Sequence, residues 1–211
     1  MKGGLAAALT AVKRALRKYP ELPGSVAFLL TSDEEGTATY GTAHAVSVLR
    51  ARGERMDHCL LAEPTCENRF GDIVKNGRRG SLTGRLIVHG VQGHVAYAHF
   101  AKNPIFQIAP LIDTWRRTVW DHGNRWFPPT TFQISNIHSG VGAANVIPGE
   151  LEMLFNFRFS PTVSVDELKD RFQTSLEQAG LTWTLTWETP DRPFLSPEGR
   201  WTRILKRVIA D

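Results

Sequence analysis

Cysteine is nearly absent from the 211-residue chain, with Cys59 and Cys66 its only two. A disulfide scaffold needs a denser set, so the pair reads as buried, reduced thiols. Long apolar runs are missing too; a stretch such as residues 26–30 falls far short of the ~20 residues that span a bilayer. Charge of one sign does not accumulate. Lys and Arg exceed Asp and Glu by 25 to 21, but basic residues never stand more than two in a row. A nucleic-acid surface calls for a stripe or tail of basic residues, so no such partner is expected. The opening Met1-Lys2-Gly3-Gly4 carries no signal-peptide apolar segment, which makes the cytoplasm the expected compartment and a membrane partner unexpected.

What is present is an ordinary globular composition, 42% hydrophobic and 22% charged. Leu5, Leu9, Val12 and Leu16 recur at helical spacing, closed by Pro20 and Pro23-Gly24. Residues 25–31 (SVAFLLT) and 58–62 read as short strands buried on both faces, with a helix over 40–52 between them. The opening third is therefore α/β in pattern. From residue 81 the pattern changes. Alternation over 81–89, 131–137, 151–159 and 181–187 predicts four strands. Helical spacing over 105–119 and 165–176 predicts two helices between them. The resulting β-α-β-β-α-β order is the ferredoxin-like arrangement, with both helices on one face of an antiparallel sheet. The expected organisation is a partial catalytic α/β domain over 1–79, a ferredoxin-like module over 80–190, and a return to the first domain over 191–211, where 201–210 begins a helix.

Candidate chemistry gathers at a few places. Asp33-Glu34-Glu35-Gly36 follows an expected buried strand, where open α/β sheets place ligands. Its carboxylates either cap and favour the next helix or divide metal binding from proton transfer. Glu63 ends the next expected strand, as a surface turn residue or as a further carboxylate of the same edge. His44 and His58 read as surface or packing residues. His94 and Tyr97 lie on a glycine-rich loop. Asn145 precedes the strand that carries Arg158, whose alternation sets it opposite the phenylalanine face, solvated or clamping a carboxylate. These last segments are expected to converge at one end of the module.

Residues 31–36 (TSDEEG), 62–64 (AEP), 75–81 (KNGRRGS), 90–97 (GVQGHVAY), 128–140 (PPTTFQISNIHSG) and 145–149 (NVIPG) occur in one order along the chain. Together they resemble the co-catalytic zinc amidohydrolase family of aminoacylases, carboxypeptidases and desuccinylases. The resemblance implies two zinc ions per full-length subunit, with cobalt as a substitute. It implies Glu34 as general base, Glu35 as ligand of one zinc and Glu63 of the other. His94 would reach across a homodimer interface, built by the inserted module, to stabilise the oxyanion on the partner subunit. Arg78, Ser81, Tyr97, Asn145 and Arg158 match positions that bind a small N-acyl amino acid. The two arginines of KNGRRGS favour an N-succinyl substrate with several carboxylates.

The departures are specific. The family's bridging aspartate would stand one residue before Met1, and its two histidine ligands are absent, so the chain is expected to be a central fragment, inactive alone. Ala144 and Ala98 replace a frequent Asn and Pro. The alternatives are a deacylase for another N-acyl amino acid, such as N-acetylornithine, and a non-catalytic dimerisation or ligand-binding module. Retention of Glu34, Glu35 and Glu63 argues against the second.

Overall fold

A computed structural model describes residues 2–32 and 38–210. In chain order its elements are α1 (Lys2–Lys18), α2 (Thr42–Ala51), β1 (Gly77–Arg78), β2 (Gly80–His89), β3 (Gly93–His94), a 3-10 segment (Val95–Phe100), α3 (Pro104–Arg117), β4 (Thr131–Ser139), β5 (Val146–Ile147), β6 (Glu150–Phe159), α4 (Val165–Gln178), β7 (Thr182–Trp187), β8 (Phe194–Leu195) and α5 (Arg200–Ala210). They divide into two compact units, residues 1–74 with 198–211, and residues 75–197.

The second unit is built on β2 and β6, which pair antiparallel from Gly80↔Phe159 to His89↔Glu150. β4 and β7 flank them, giving the strand order β4-β6-β2-β7. Alternation turns Leu82, Leu86 and Val88 of β2, and Leu151, Met153, Phe155, Phe157 and Phe159 of β6, into one core. Gly84 belongs to the same face because the Phe155 ring fills the space its Cβ would occupy. Ile108, Leu111 and Trp115 of α3 and Leu168, Phe172 and Leu176 of α4 join that same cluster. The helices start where their caps dictate. Asn103 Oδ1 accepts the Ile105 N–H at 3.0 Å with Pro104 at the first turn, and Ser164 Oγ accepts the Glu167 N–H at 3.0 Å. Aromatic rings fill the centre: Phe172 stacks on Trp115 at 4.5 Å and on Phe155 at 4.4 Å between centroids.

The first unit departs from expectation. Helices α1, α2 and α5 form there, but among the described residues it has no strand. Residues 25–31 and 58–62 run without regular structure, and Leu30 and Leu61 are 66% and 74% exposed. The α/β alternation expected of this part is thus not formed. A strand is a ladder partner as much as an apolar run, and no described segment pairs with either one. Cys59 and Cys66 share this exposure, which corrects their reading as buried thiols. His44 packs edge-on against Tyr40, and His58 stacks on Trp201 at 5.2 Å. No helix of the described residues is long and apolar enough to cross a membrane.

Candidate active site

The candidate side chains of the second unit form two groups, at opposite ends of the β2–β6 ladder. His94, Tyr97 and Asn145 make the first. β3 pairs with β5 through Gly93↔Ile147 and His94↔Val146, and the Val95 N–H donates to the Asn145 carbonyl at 3.1 Å. His94 Nδ1 accepts the Ala96 N–H at 3.1 Å. The neutral ring therefore carries its proton on Nε2, which faces the Asn145 amide at 3.5 Å. Both facing nitrogens are then donors and do not bond one another, so the N–H remains available to a ligand oxygen. Tyr97 stands 6.0 Å from the His94 ring between centroids and is 60% exposed, at a kink in the 3-10 segment.

Arg78, Ser81 and Arg158 make the second group. Ser81 and Arg158 are direct partners across the β2–β6 ladder. Asn156 Nδ2 donates to Ser81 Oγ and Thr83 Oγ1, each at 3.0 Å, so the Ser81 hydroxyl keeps its own hydrogen for a ligand. Arg78 forms an ion pair with Asp191 at 3.5 Å, and the Asp191 backbone exchanges two hydrogen bonds with Ser81. Two exposed guanidinium groups beside a hydroxyl donor suit a carboxylate ligand. Asn156 and Asp191 were not legible in advance. Asn156 shows only as a polar residue alternating with phenylalanines, and Asp191 gives no signal at all.

Arg158 lies eight residues along β6 from Glu150, about 27 Å at ordinary strand rise. The expected convergence of Arg158 with His94 and Asn145 at one end is therefore corrected: an alternating strand carries its far residues away from its first. Glu63 belongs to the first unit, where it is exposed and follows no strand. Glu34 and Glu35 lie outside the described residues.

Between the two groups the open face of the sheet is polar. Arg85 grips Glu152 through Nε at 2.9 Å and Nη2 at 2.6 Å, and that bonding holds the Glu152 carboxyl below its ordinary pKa. Among the described residues no three of His, Cys, Asp and Glu stand close enough to hold a metal ion. The described donors thus do not by themselves fit a metal pair.

The second unit is thus an antiparallel four-stranded sheet with two helices on one face and polar groups at its ends. In fold it is similar to a metallo-carboxypeptidase from Sulfolobus solfataricus, at 13% identity and a TM-score of 0.54 over 64% of this chain and 50% of that one. Residues 76–184 match the peptidase dimerisation domain, and the chain belongs to that family. Over its whole length it is 53% identical to a succinyl-diaminopimelate desuccinylase of Nitrosomonas europaea. Over 99% of its length it is 51% identical to the enzyme of that name from Burkholderia lata. The chain covers 56% and 55% of these two proteins, so it spans about half the length of the curated relatives it matches.

Proposed function

We propose that the complete protein hydrolyses N-succinyl-LL-2,6-diaminopimelate to succinate and LL-2,6-diaminopimelate. The observation that carries this reading is overall identity above 50% to desuccinylases in an alignment that spans the entire chain.

In this reading Glu34 takes a proton from the attacking water and returns it to the leaving amine nitrogen as the amide bond breaks. Glu35 and Glu63 are the carboxylates offered to a metal pair, with zinc the proposed ion. Arg78, Ser81 and Arg158 bind substrate carboxylates. His94, with Tyr97 and Asn145 beside it, donates Nε2–H to the oxygen that gains charge in the transition state. The separation of about 27 Å along β6 supports His94 acting on the partner subunit, because one small substrate cannot touch both ends of one sheet. A two-fold dimer through residues 80–190 supplies the second end. The ferredoxin-like reading of that module rests on its β-α-β-β-α-β order and on the central placing of β2 and β6.

The test is a side-by-side assay of the complete protein on N-succinyl-LL-diaminopimelate and N-acetylornithine. Preference for the succinyl substrate by two orders of magnitude or more in kcat/KM is expected. Equal turnover, or preference for the acetyl compound, contradicts the assignment.

A further inference from the structure

Asp121 lies four residues past the end of α3, outside both groups of candidate side chains, and yet it is the most heavily bonded carboxylate of the second unit. Its Oδ1 accepts the N–H of Gly123 at 2.6 Å and of Thr130 at 2.9 Å. Its Oδ2 accepts the hydroxyls of Thr130 and of Ser160, the latter at 3.3 Å. One side chain thereby closes the loop of residues 121–130 and fastens it to the end of β6, where Ser160 is fully buried. The entry to that loop is fixed independently. Arg171 of α4 donates to the carbonyls of Trp120 at 2.6 Å and Val119 at 3.0 Å.

The loop delivers one large side chain. Asn124 Oδ1 accepts the N–H groups of Trp126 and Phe127, turning Phe127 inward until only 7% of it is exposed. Phe127 ends against Gly77. A Cβ built on Gly77 would lie 3.1 Å from Phe127 Cζ and 2.6 Å from the Phe194 carbonyl, so only glycine fits there. Gly77 immediately precedes Arg78. On the other side, Thr131 is the ladder partner of Arg158, and Ser160 follows Arg158 by two residues. The Asp121 network therefore ends one or two residues from each guanidinium-bearing position.

We propose that Asp121 is a positioning residue for the arginine pair. It fixes the Phe127 support behind Arg78 and the Thr130–Ser160 tie beside Arg158, and so sets the spacing at which two substrate carboxylates are held. Loss of that spacing raises the ordering cost of binding without touching the reacting atoms. This inference rests on the reading above that the arginines bind substrate carboxylates, and its test separates the two.

Hydrogen exchange on the chain with Asp121→Asn decides the positioning directly. Exchange should accelerate at least tenfold at the amides of Arg78, Thr131 and Ser160 and stay unchanged at Leu86 and Met153. Unchanged exchange at the first three, or uniform acceleration at all five, overturns the proposal. If Asp121→Asn does not fold, Phe127→Leu replaces it. That variant should accelerate exchange at Gly77 and Arg78 but not at Ser160, and no change at Arg78 overturns the proposal. In the complete protein, Asp121→Asn should raise KM about tenfold with kcat held within about twofold, whereas a merely destabilised enzyme loses active fraction and hence kcat. An equal loss of kcat with KM unchanged also overturns it. Arg78→Ala and Arg158→Ala serve as references. Unaltered KM in both would remove the carboxylate-binding reading while the exchange data still judge Asp121.

Discussion

The imidazole of His94 and the amide of Asn145, 51 residues apart in sequence, face one another at 3.5 Å between Nε2 and Nδ2. The pairing of β3 with β5 makes this contact, and it leaves one N–H turned to whatever enters between the two side chains. In the complete protein, His94→Ala should lower kcat by about 100- to 1,000-fold, the cost of one oxyanion donor, with little change in KM. Steady-state kinetics check this. A change confined to KM would place His94 among groups that hold the ground state.

Glu34, Glu35 and Glu63 should separate by readout. Glu34→Gln should lower kcat by about 100- to 10,000-fold and leave metal content nearly intact, because a base only moves protons. Glu35→Ala and Glu63→Ala should each lower metal occupancy, because a ligand also supplies charge to hold the ion. Elemental analysis of the three purified variants of the complete protein reports the difference. Equal metal loss in all three would mean that the roles are wrongly divided.

The core of the second unit should depend on its aromatic centre. Phe172 is fully buried and stacks on both Trp115 and Phe155. Phe172→Ala should destabilise that unit by about 3–5 kcal/mol, through lost burial and the cavity left behind. Denaturant unfolding followed by tryptophan fluorescence measures it. A loss below about 1 kcal/mol would contradict the packing described.

Asp121 should govern acid stability. Burial raises its pKa, but bonds from the Thr130 hydroxyl and N–H, the Gly123 N–H and the Thr162 hydroxyl outweigh burial and lower it overall. A carboxyl whose folded pKa is depressed stabilises the fold above its unfolded value, near 3.9. That contribution fades as pH falls through the folded value. Asp121→Asn should therefore narrow the stability gap between pH 7 and pH 3 relative to the wild type. Urea midpoints at several pH values test the sign, and a parallel pH dependence in both proteins would contradict it.

Sequence reading succeeded where local pattern determines structure. Alternation of Leu151, Met153, Phe155, Phe157 and Phe159 marks β6 because every second side chain enters the core. The spacing of Val165, Leu168, Phe172 and Leu176 marks α4 for the matching reason. It failed where structure depends on a distant partner. The apolar runs at 25–31 and 58–62 carry strand composition, but no described strand pairs with them. The two-residue ladder of Gly77–Arg78 with Phe194–Leu195 joins segments over a hundred residues apart and has no length in which a period can show. The candidate side chains were visible as residues, but not their division between two ends of a sheet, which depends on the length and register of β6. Asp121 was invisible because its partners lie in an irregular loop with no period and in a segment some forty residues away, after β6.

The most direct test of the account is subunit complementation. His94→Ala and Glu34→Gln forms of the complete protein, each nearly inactive alone, are mixed, dissociated and reassociated. If His94 serves the partner's site, each mixed dimer holds one site with both residues intact. Statistical reassociation should then restore about one quarter of wild-type activity. If His94 serves its own subunit, no mixed dimer contains an intact site. Activity remaining at the level of the separate variants, with mixed dimers demonstrated by mass, would contradict a site completed across the two-fold axis.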